Sequence, residues 1–514
     1  RQGLNDVKDQ MMNPLKHLTF GGRIYGDNLV AGKTYTGIYT DTDFKGWSLK
    51  SRKPAQEHQI RLALATLQCE NPADWETMLN KTISKVQTDK KAKQKTRQWW
   101  NSYWKRSYVF IDSGKIGSDY WKVGRNYQLF RYMLGCNAYG SEPTKFNGGL
   151  FTFDPVHIDS TRVFTPDFRL WGGGTMTAQN QRLVYFPMLK SGDFDMMKPQ
   201  FDFYERMLDN AKLRTKVYWN HGGACFSEQI ENFGLPNLAE YDWKPRHEGF
   251  PIGVDSNPWL EYTWDTALEF ALMMFDAHLY NNEPIVPHLP FIESLLTFFD
   301  EHYSYLALRR GTNKLDGDGH LVLYPGSACE TYKMATNATS TVAALKVITE
   351  KLLELPELDA TQREHWSGFL KRIPPISHRE VQGKKTISPA KMWERINNSE
   401  VPSLYPVYPW RIYGIGQPEL QTAINTYLYD PEAIEFRSHI GWKQDNIFAA
   451  CLGLTEEAER LTLLKLSDGP HRFPAFWGPG FDWIPDHNWG GSGMIGLQEM
   501  LLQANGDSIL LFPA

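Results

Sequence analysis

Three loop-to-helix junctions carry the residues with the clearest capacity for chemistry. The first runs from Trp171 through a triple glycine to Arg182, and its Gln179, Asn180 and Gln181 offer closely spaced amide groups. A glycine run lets the backbone approach a ligand, and planar amide and guanidinium groups beside aromatic rings suit sugar binding. A glycine-rich turn that only caps a helix is the alternative.

The second junction contains Glu330, which follows a short apolar run and precedes a helix predicted to begin near Ala335. Tyr324, Cys329 and Tyr332 lie close to it in sequence. They would partly remove its carboxyl group from water, which raises a carboxyl pKa and keeps the group protonated as a general acid. A carboxylate that merely favours a helix N-terminus is the alternative.

The third junction spans residues 473–493 and combines three tryptophans, two aspartates and a glycine run ahead of a predicted helix. Asp486, close to Asn488 at the start of that helix, is well suited to orient a water molecule. The alternative is an aspartate that caps the helix, with tryptophans that only pack.

Neither a metal nor an organic cofactor is predicted. The Asp-Gly-Asp-Gly run at 316–319 lacks the ligand spacing and the final glutamate of a calcium loop, so it predicts a hairpin turn. Five scattered cysteines form no C-x-x-C pair, which excludes a zinc knuckle or a dithiol site of that pattern.

Composition limits the classes of molecule that this chain is expected to bind. The net charge of −4 gives no field for nucleic acid, and no run of 18 apolar residues predicts a membrane span. The chain contains 18 Trp, 24 Tyr and 28 Phe, whose flat faces can stack on sugar rings or fill a large core. An oligosaccharide or polysaccharide is therefore the expected partner, and the oligomeric state is open.

The elements that must position these junctions change along the chain. Residues 1–75 alternate like strands and predict the C-terminal part of a β-sandwich domain, and residues 76–118 predict a helical linker. Residues 119–514 predict about a dozen helices without alternating strands. Two concentric rings of helices would bury such a chain and gather its long loops at one mouth.

The C-terminal segment from Asp486 through Gly490-Gly491 to Gln503 resembles the signature of glycoside hydrolase family 95, in which an aspartate loop enters a Glu-Met-Leu-Leu-Gln helix. Three segments earlier in the chain match family segments, and they occur in the same order as in the family. They are Asn180 ahead of Tyr185-Phe-Pro187, the run that ends at Glu330, and Ser403-Leu-Tyr with Gly441-Trp442. The likeness covers roughly residues 100–514.

The resemblance implies an (α/α)6 barrel preceded by part of a β-sandwich, and an inverting, exo-acting glycoside hydrolase that removes an α-linked, fucose- or galactose-like sugar from a complex glycan. Glu330 resembles the general acid, Asn180 the residue that positions and deprotonates the attacking water, and Asp486 the carboxylate that polarises Asn180. Inversion requires the acid and the water on opposite faces of the sugar. A periplasmic or secreted enzyme is also implied.

The remaining candidates are expected to bind substrate: Trp171, Gln179, Gln181, Arg182, Glu228, Tyr332, Ser403, Arg411, Trp442, Trp483, His487, Asn488 and Trp489.

Departures from the family pattern concern the sugar more than the reaction. Ala178 occupies the position of a second family asparagine, and Ser403 lies where the family carries a histidine. Hydroxyl groups or a uronate could then be recognised by Glu228, Glu231, Arg182 and Arg411. The alternative functions are a phosphorylase or a lyase on the same fold, and a carbohydrate-binding barrel without turnover.

Overall fold

The computed structural model describes residues 2–145, 165, 175–241, 245–469, 473–476, 486–506 and 508–514. The chain divides into two compact units. Residues 12–106, with residue 165, lie in the smaller unit; residues 2–11 and the other described residues from 107 onward lie in the larger one. Among the described residues, no helix combines the length and apolar character needed to cross a bilayer.

The described part of the smaller unit contains strands followed by helices: β1 (Leu18–Tyr25), β2 (Leu29–Tyr39), β3 (Thr42–Ser51), β4 (Arg61–Gln68), α1 (Pro72–Thr88) and α2 (Ala92–Arg106). β1 pairs with β4 and β2 with β3, both antiparallel. Asn71 caps α1, since its side chain accepts a hydrogen bond from the amide of Ala73. α1 packs on β4 through Trp75, whose indole donates to the carbonyl of Ala65 (3.0 Å).

Both strand pairs expose large apolar side chains. Phe20 and Leu64 on one pair are 76% and 69% exposed, and Ile38 and Trp47 on the other are each 71% exposed. A β-sandwich buries such residues between two sheets. Because the described strands pair only two by two, the β-sandwich and the boundary at residue 75, which falls inside α1, stay predictions.

The larger unit is mostly helical. Its described helices are α3 (Asp119–Cys136), α4 (Ala178–Ser191), α5 (Lys198–Arg206), α6 (Leu208–Trp219), α7 (Leu238–Tyr241), α8 (Ala267–Asn281), α9 (Leu289–Arg309), α10 (Thr339–Glu354), α11 (Ala360–Arg372), α12 (Leu420–Tyr429), α13 (Pro431–Glu435), α14 (Asp445–Cys451), α15 (Thr455–Lys465) and α16 (His487–Leu501). Short 3-10 helices occur at Asn5–Gln10, Phe194–Met196, Val286–His288 and Pro402–Leu404.

Short strands connect these helices: β5 (Met176–Thr177), β6 (Gln229–Ile230), β7 (Gly326–Ala328), β8 (Tyr332–Ala335), β9 (His378–Val381), β10 (Lys384–Ile387), β11 (Arg395–Ile396), β12 (Leu502–Asn505) and β13 (Ser508–Leu511). β8 lies between β7 and β11, while the other strands pair two by two. No α/β sheet runs through the described part of this unit, as the sequence predicts.

Five helices that are buried on most faces run in the same direction. α4 and α16 touch along their length: a Cβ on Gly491 would lie 1.8 Å from the carbonyl oxygen of Leu183, and Gln498 donates to Pro187 O (3.0 Å). α14 runs beside α16, since Asn446 donates to Ser492 O (2.9 Å). The N-terminal halves of these helices thus contact one another, and so do the C-terminal halves of α4 and α16.

The same relation holds on the other side of α4. Arg182 near the start of α4 bonds to Glu269 near the start of α8 (2.8 Å). Ser340 in the first turn of α10 donates to Asp265, just ahead of α8 (2.9 Å). The helix order is therefore α10, α8, α4, α16, α14, with all five N-termini at one end. The complete (α/α)6 barrel stays a prediction.

Candidate active site at the helix N-termini

Glu330 lies at the tip of a tight hairpin rather than at the start of a helix. β7 and β8 pair antiparallel, and residues 329–331 form the turn between them. Cys329 adopts a φ of 52°, a left-handed conformation that is uncommon for a residue with a side chain. The helix expected near Ala335 begins at Thr339 instead, because the backbone of 332–335 pairs as a strand.

Lys333 stabilises this hairpin through hydrogen bonds of its buried side chain. Its side chain is fully buried, and its ammonium group donates to four oxygens at 3.0–3.3 Å: Glu261 O, Thr263 Oγ1, Ser327 Oγ and Cys329 O. Burial lowers the pKa of Lys333 to about 8, although nearby Glu330 raises it in part. The lysine therefore stabilises the turn without being available to a ligand.

The carboxyl group of Glu330 is surrounded by protein while part of the residue remains exposed. Burial, together with the charges of Glu400 and Glu228, raises its pKa to about 8, although Lys333 and a hydrogen bond from Asn398 oppose the shift. A carboxylic acid with this pKa keeps its proton at neutral pH, which is the state that a general acid requires.

Glu228 joins the start of α4 to Thr266, the residue just ahead of α8. Its backbone carbonyl accepts from Ala178 N (2.9 Å), and one carboxyl oxygen accepts from Gln179 N (2.5 Å). The other carboxyl oxygen accepts from Thr266 Oγ1 (2.7 Å). Burial raises the pKa of Glu228 to about 7 despite these bonds. Glu228 therefore holds the first turn of α4 in register with the site.

Arg182 is buried at the centre of this end of the unit. It donates to Glu269 (2.8 Å) and to the hydroxyl of Tyr405, and Gln444 also donates to that hydroxyl (3.3 Å). Burial alone would lower the pKa of Arg182, but Glu269 and Tyr405 raise it well above the usual value. Its charge is thus paired with Glu269, while its Nε has no hydrogen-bond partner among the described residues. A role in binding a hydroxyl group or a uronate stays a prediction.

Asp486 caps α16, and its carboxyl group is only half used. One oxygen accepts from Asn488 N (2.8 Å), and the other has no hydrogen-bond partner among the described residues. Burial raises its pKa to about 7, against lowering by the capping amides and by Lys465. The group is poised between its charged and neutral forms near neutral pH.

Asn180 lies in the first turn of α4, three residues before Leu183, and Asp486 lies five residues before Gly491 on the adjacent α16. Because Leu183 and Gly491 touch and the helices are parallel, the two candidates lie at the same end of the pair. No hydrogen bond joins their side chains. Catalytic hydrogen bonds are often long in unliganded enzymes, so this gap is compatible with the predicted pairing.

His487, Asn488 and Trp489 follow Asp486 at the same helix end. His487 and Asn488 are buried, and Nε2 of His487 and Oδ1 of Asn488 have no partner among the described residues. Burial lowers the pKa of His487 to about 4, so its ring is neutral. Trp489 is held in place, since its indole donates to Lys465 O (2.6 Å).

Other predicted binding residues have structural surroundings. Gln181 faces the outer helix α5, where Gln200 donates to it (3.4 Å). Tyr332 packs in an apolar cluster with its ring edge against Trp393. Ser403 is buried in the turn that precedes Tyr405, and Trp442 is half-buried in the loop before α14.

Arg411 lies at the opposite end of the helices. It donates to Glu499 (2.7 Å) near the end of α16, far along that helix from Asp486. The structure does not bring it together with Glu330 or Arg182. Trp171 and Trp483 lie outside the described residues.

Sequence reasoning missed Glu400, Asn398 and Lys333. Glu400 is 4% exposed and accepts from Glu330 N (3.0 Å), and Asn398 donates to Glu330 Oε2 (2.8 Å). The polar run 397–400 just ahead of the Ser403 landmark was the available signal. Its pairing with the hairpin 70 residues earlier is a tertiary contact, which no spacing rule reveals.

One group of described residues could offer metal ligands, namely Asp316, Asp318 and His320. These residues form the predicted hairpin turn, since Leu315 and Leu321 on either side pair in an antiparallel β-bridge. The Asp316 carboxylate accepts from the amides of Asp318 (3.0 Å) and His320 (2.9 Å). The carboxylate is therefore used by the turn itself.

Residues 1–109 match a family model, DUF5703_N, described as a domain of unknown function. A comparison with curated protein sequences gives no match.

Solved structures resemble the chain more broadly. A protein from the human microbiome described as a kojibiose phosphorylase superposes with a TM-score of 0.62 at 11% identity, over 97% of this chain and 65% of that one. The chain thus spans just under two thirds of that protein's length. A glycosidase in complex with glucose and a wild-type glycosidase each match with a TM-score of 0.44 at 10% identity, over 74% of this chain and 98% of theirs.

The match to the kojibiose phosphorylase shows a shared fold. The chemistry of this chain has to be argued from its own residues, because one fold hosts many activities. Membership of glycoside hydrolase family 95 stays a prediction.

Proposed function

We propose that this chain cleaves glycosidic bonds with inversion at the anomeric carbon and that Glu330 is its general acid. The observation that carries the proposal is a carboxyl group with a pKa of about 8, on a residue that is partly exposed, at the end of the larger unit where five helix N-termini lie. Such a group can donate its proton to the glycosidic oxygen as the bond to the anomeric carbon breaks.

The opposite face of the sugar requires an activated water. Asn180 would accept a hydrogen bond from that water, and ionised Asp486 would polarise the Asn180 amide. Support comes from the parallel packing of α4 on α16 and from the unpartnered second oxygen of Asp486.

The finer proposal is an exo-acting, family 95-like hydrolase of an α-linked sugar, secreted or periplasmic. It rests on the C-terminal motif and on the order of the three further segments. Ala178 and Ser403 differ from the family pattern, so the sugar is expected to differ as well.

A phosphorylase is the second candidate, since the structural match with a TM-score above 0.5 is described as a kojibiose phosphorylase. In that reaction inorganic phosphate attacks in place of water and the product is a sugar phosphate. Residues 146–164, 166–174 and 470–472 lie outside the described residues, and they contain further cations, including Arg472.

The test is a panel of plant, algal and mucin-type glycans with kojibiose, incubated with and without inorganic phosphate and followed by proton NMR. The proposal expects a free sugar with inverted anomeric configuration, independent of phosphate, and no product from Glu330→Gln. Retained configuration, or full activity of Glu330→Gln, would overturn it. A sugar phosphate supports the second candidate, an unsaturated product absorbing in the ultraviolet indicates a lyase, and binding without turnover indicates a binding module.

A further inference from the structure

The segment Asn397–Glu400 lies along the tip of the β7–β8 hairpin and pairs with it closely. Asn397 N donates to Thr331 O (2.8 Å), and Glu400 N donates to Thr331 Oγ1 (2.9 Å). In the other direction, Glu330 N donates to Glu400 Oε2 (3.0 Å). The backbone on both sides of Glu330 is thus held by one segment that is distant in sequence.

The same segment contacts the carboxyl group of Glu330. Asn398 Nδ2 donates to Glu330 Oε2 (2.8 Å), so that oxygen acts as the acceptor. The acidic proton then belongs on Glu330 Oε1, which turns the donor side of the carboxyl group away from Asn398.

Glu400 adds a charge directly behind the acid. Its side chain is nine-tenths buried, and its Oε1 has no hydrogen-bond partner among the described residues. Burial raises the pKa of Glu400, while Arg182 and Lys443 lower it in part, so the cations favour the ionised form of Glu400 over that of Glu330. The charge of Glu400 raises the pKa of Glu330, so an ionised Glu400 favours the protonated form of Glu330.

Lys443 ties this segment to the rest of the site. Its ammonium group donates to Ser399 Oγ (2.9 Å) and to Phe436 O (2.9 Å), and it also bonds to the carbonyl of Ser399. The segment is therefore fixed independently of any substrate.

We infer that Asn398 and Glu400 are positioning residues for the acid, with Asn398 orienting the Glu330 carboxyl group and Glu400 keeping the proton on it. This inference rests on the proposed function of Glu330. It assigns opposite electrostatic roles to two neighbouring residues: a donor favours the ionised form of Glu330, and a negative charge disfavours it.

The test compares pH profiles of kcat/KM for wild type, Glu400→Gln and Asn398→Ala on the best substrate of the glycan panel. Loss of the Glu400 charge should move the high-pH limb to lower pH by about one unit or more. Loss of the Asn398 donor should move it to higher pH and lower kcat by up to about 10²-fold, because the carboxyl group is no longer held in line.

Glu394→Gln is the matched control, since Glu394 is an exposed glutamate six residues before Glu400 and bonds to Tyr324 instead. Its profile should equal that of wild type. Melting curves accompany every variant, and should Glu400→Gln fail to fold, half-buried Asn398→Ala carries the test.

If the high-pH limb of the kcat/KM profile does not move, or moves in the same direction in Glu400→Gln and Asn398→Ala, the inference is overturned while Glu330 remains the acid. A wild-type protein without any cleavage activity would instead overturn the proposed function, and this inference with it. Opposite shifts together with an unchanged control would support both.

Discussion

The two ends of the buried helices carry two charge clusters that look alike in a residue list and behave differently. At the N-terminal end, Glu330, Glu228 and Asp486 all have raised pKa values, because burial outweighs their partners. At the C-terminal end, Glu499 accepts from Arg411 (2.7 Å) and Lys190 (2.6 Å). Burial alone would raise the pKa of Glu499, yet these two cations lower it.

The difference shows what separates a structural ion cluster from a candidate catalytic one. Glu499 contacts two cations that keep it ionised, so it can neither give nor take a proton near neutral pH. Glu330 has like charges beside it and holds its proton. Perturbed pKa values mark functional sites when the perturbation leaves a group poised near the working pH.

The largest expected effect is on turnover. Glu330→Gln should lower kcat by about 10²–10⁴-fold, the usual contribution of a general acid, without lowering the melting temperature. Glu499→Gln should leave kcat of the folded protein unchanged. Equal losses of kcat in the two variants would erase the contrast between the clusters.

The next effect is on stability. Glu499→Gln should lower the free energy of unfolding by about 3–5 kcal/mol, because Lys190 and Arg411 then remain buried without their counter-charge. Urea denaturation at neutral pH measures this. The loss should shrink below about pH 4.5, the usual value for the carboxyl group, because wild-type Glu499 is itself protonated at low pH. If Glu499→Gln unfolds with nearly the same free energy as wild type, the C-terminal cluster does not stabilise the fold.

A smaller effect is expected at the contact that joins α4 to α16. Gly491→Ala should lower stability by about 1–3 kcal/mol, since the added Cβ meets the Leu183 backbone rather than a side chain that can move. Gly368→Ala, in α11 with open space around it, is the control and should stabilise by up to about 1 kcal/mol. Turnover should also fall in Gly491→Ala, because Asn180 and Asp486 depend on this contact.

The last comparison is the pH dependence of stability at the N-terminal end. A raised carboxyl pKa means that the folded protein binds the proton more tightly, so its stabilising contribution is complete below pH 4.5 and is lost as pH rises to about 8. Wild type should therefore lose stability over this range relative to Glu330→Gln. Parallel curves of unfolding free energy would argue against a buried, proton-holding Glu330.

Several helices were predictable because their apolar periodicity is strong. The sequence alone predicts helices over Thr266–Tyr280 and Thr339–Leu355, and the ends of α8 and α10 differ from these bounds by at most one residue. The region around Glu330 was harder: apolar periodicity could not separate strand from helix at 332–335, and the pairing of β8 with β7 and β11 decided it.

Residue types alone determined that this chain has amide, carboxyl and aromatic groups suited to a sugar and that Glu330 and Asp486 stand at junctions. Tertiary structure decided which charges are paired. The sequence does not distinguish Arg411 from Arg182. In the structure Arg411 pairs with Glu499 and Arg182 pairs with Glu269, at opposite ends of the helices. The pKa of Glu330 depends on burial and on Glu400 and Glu228, and distance through space sets such effects.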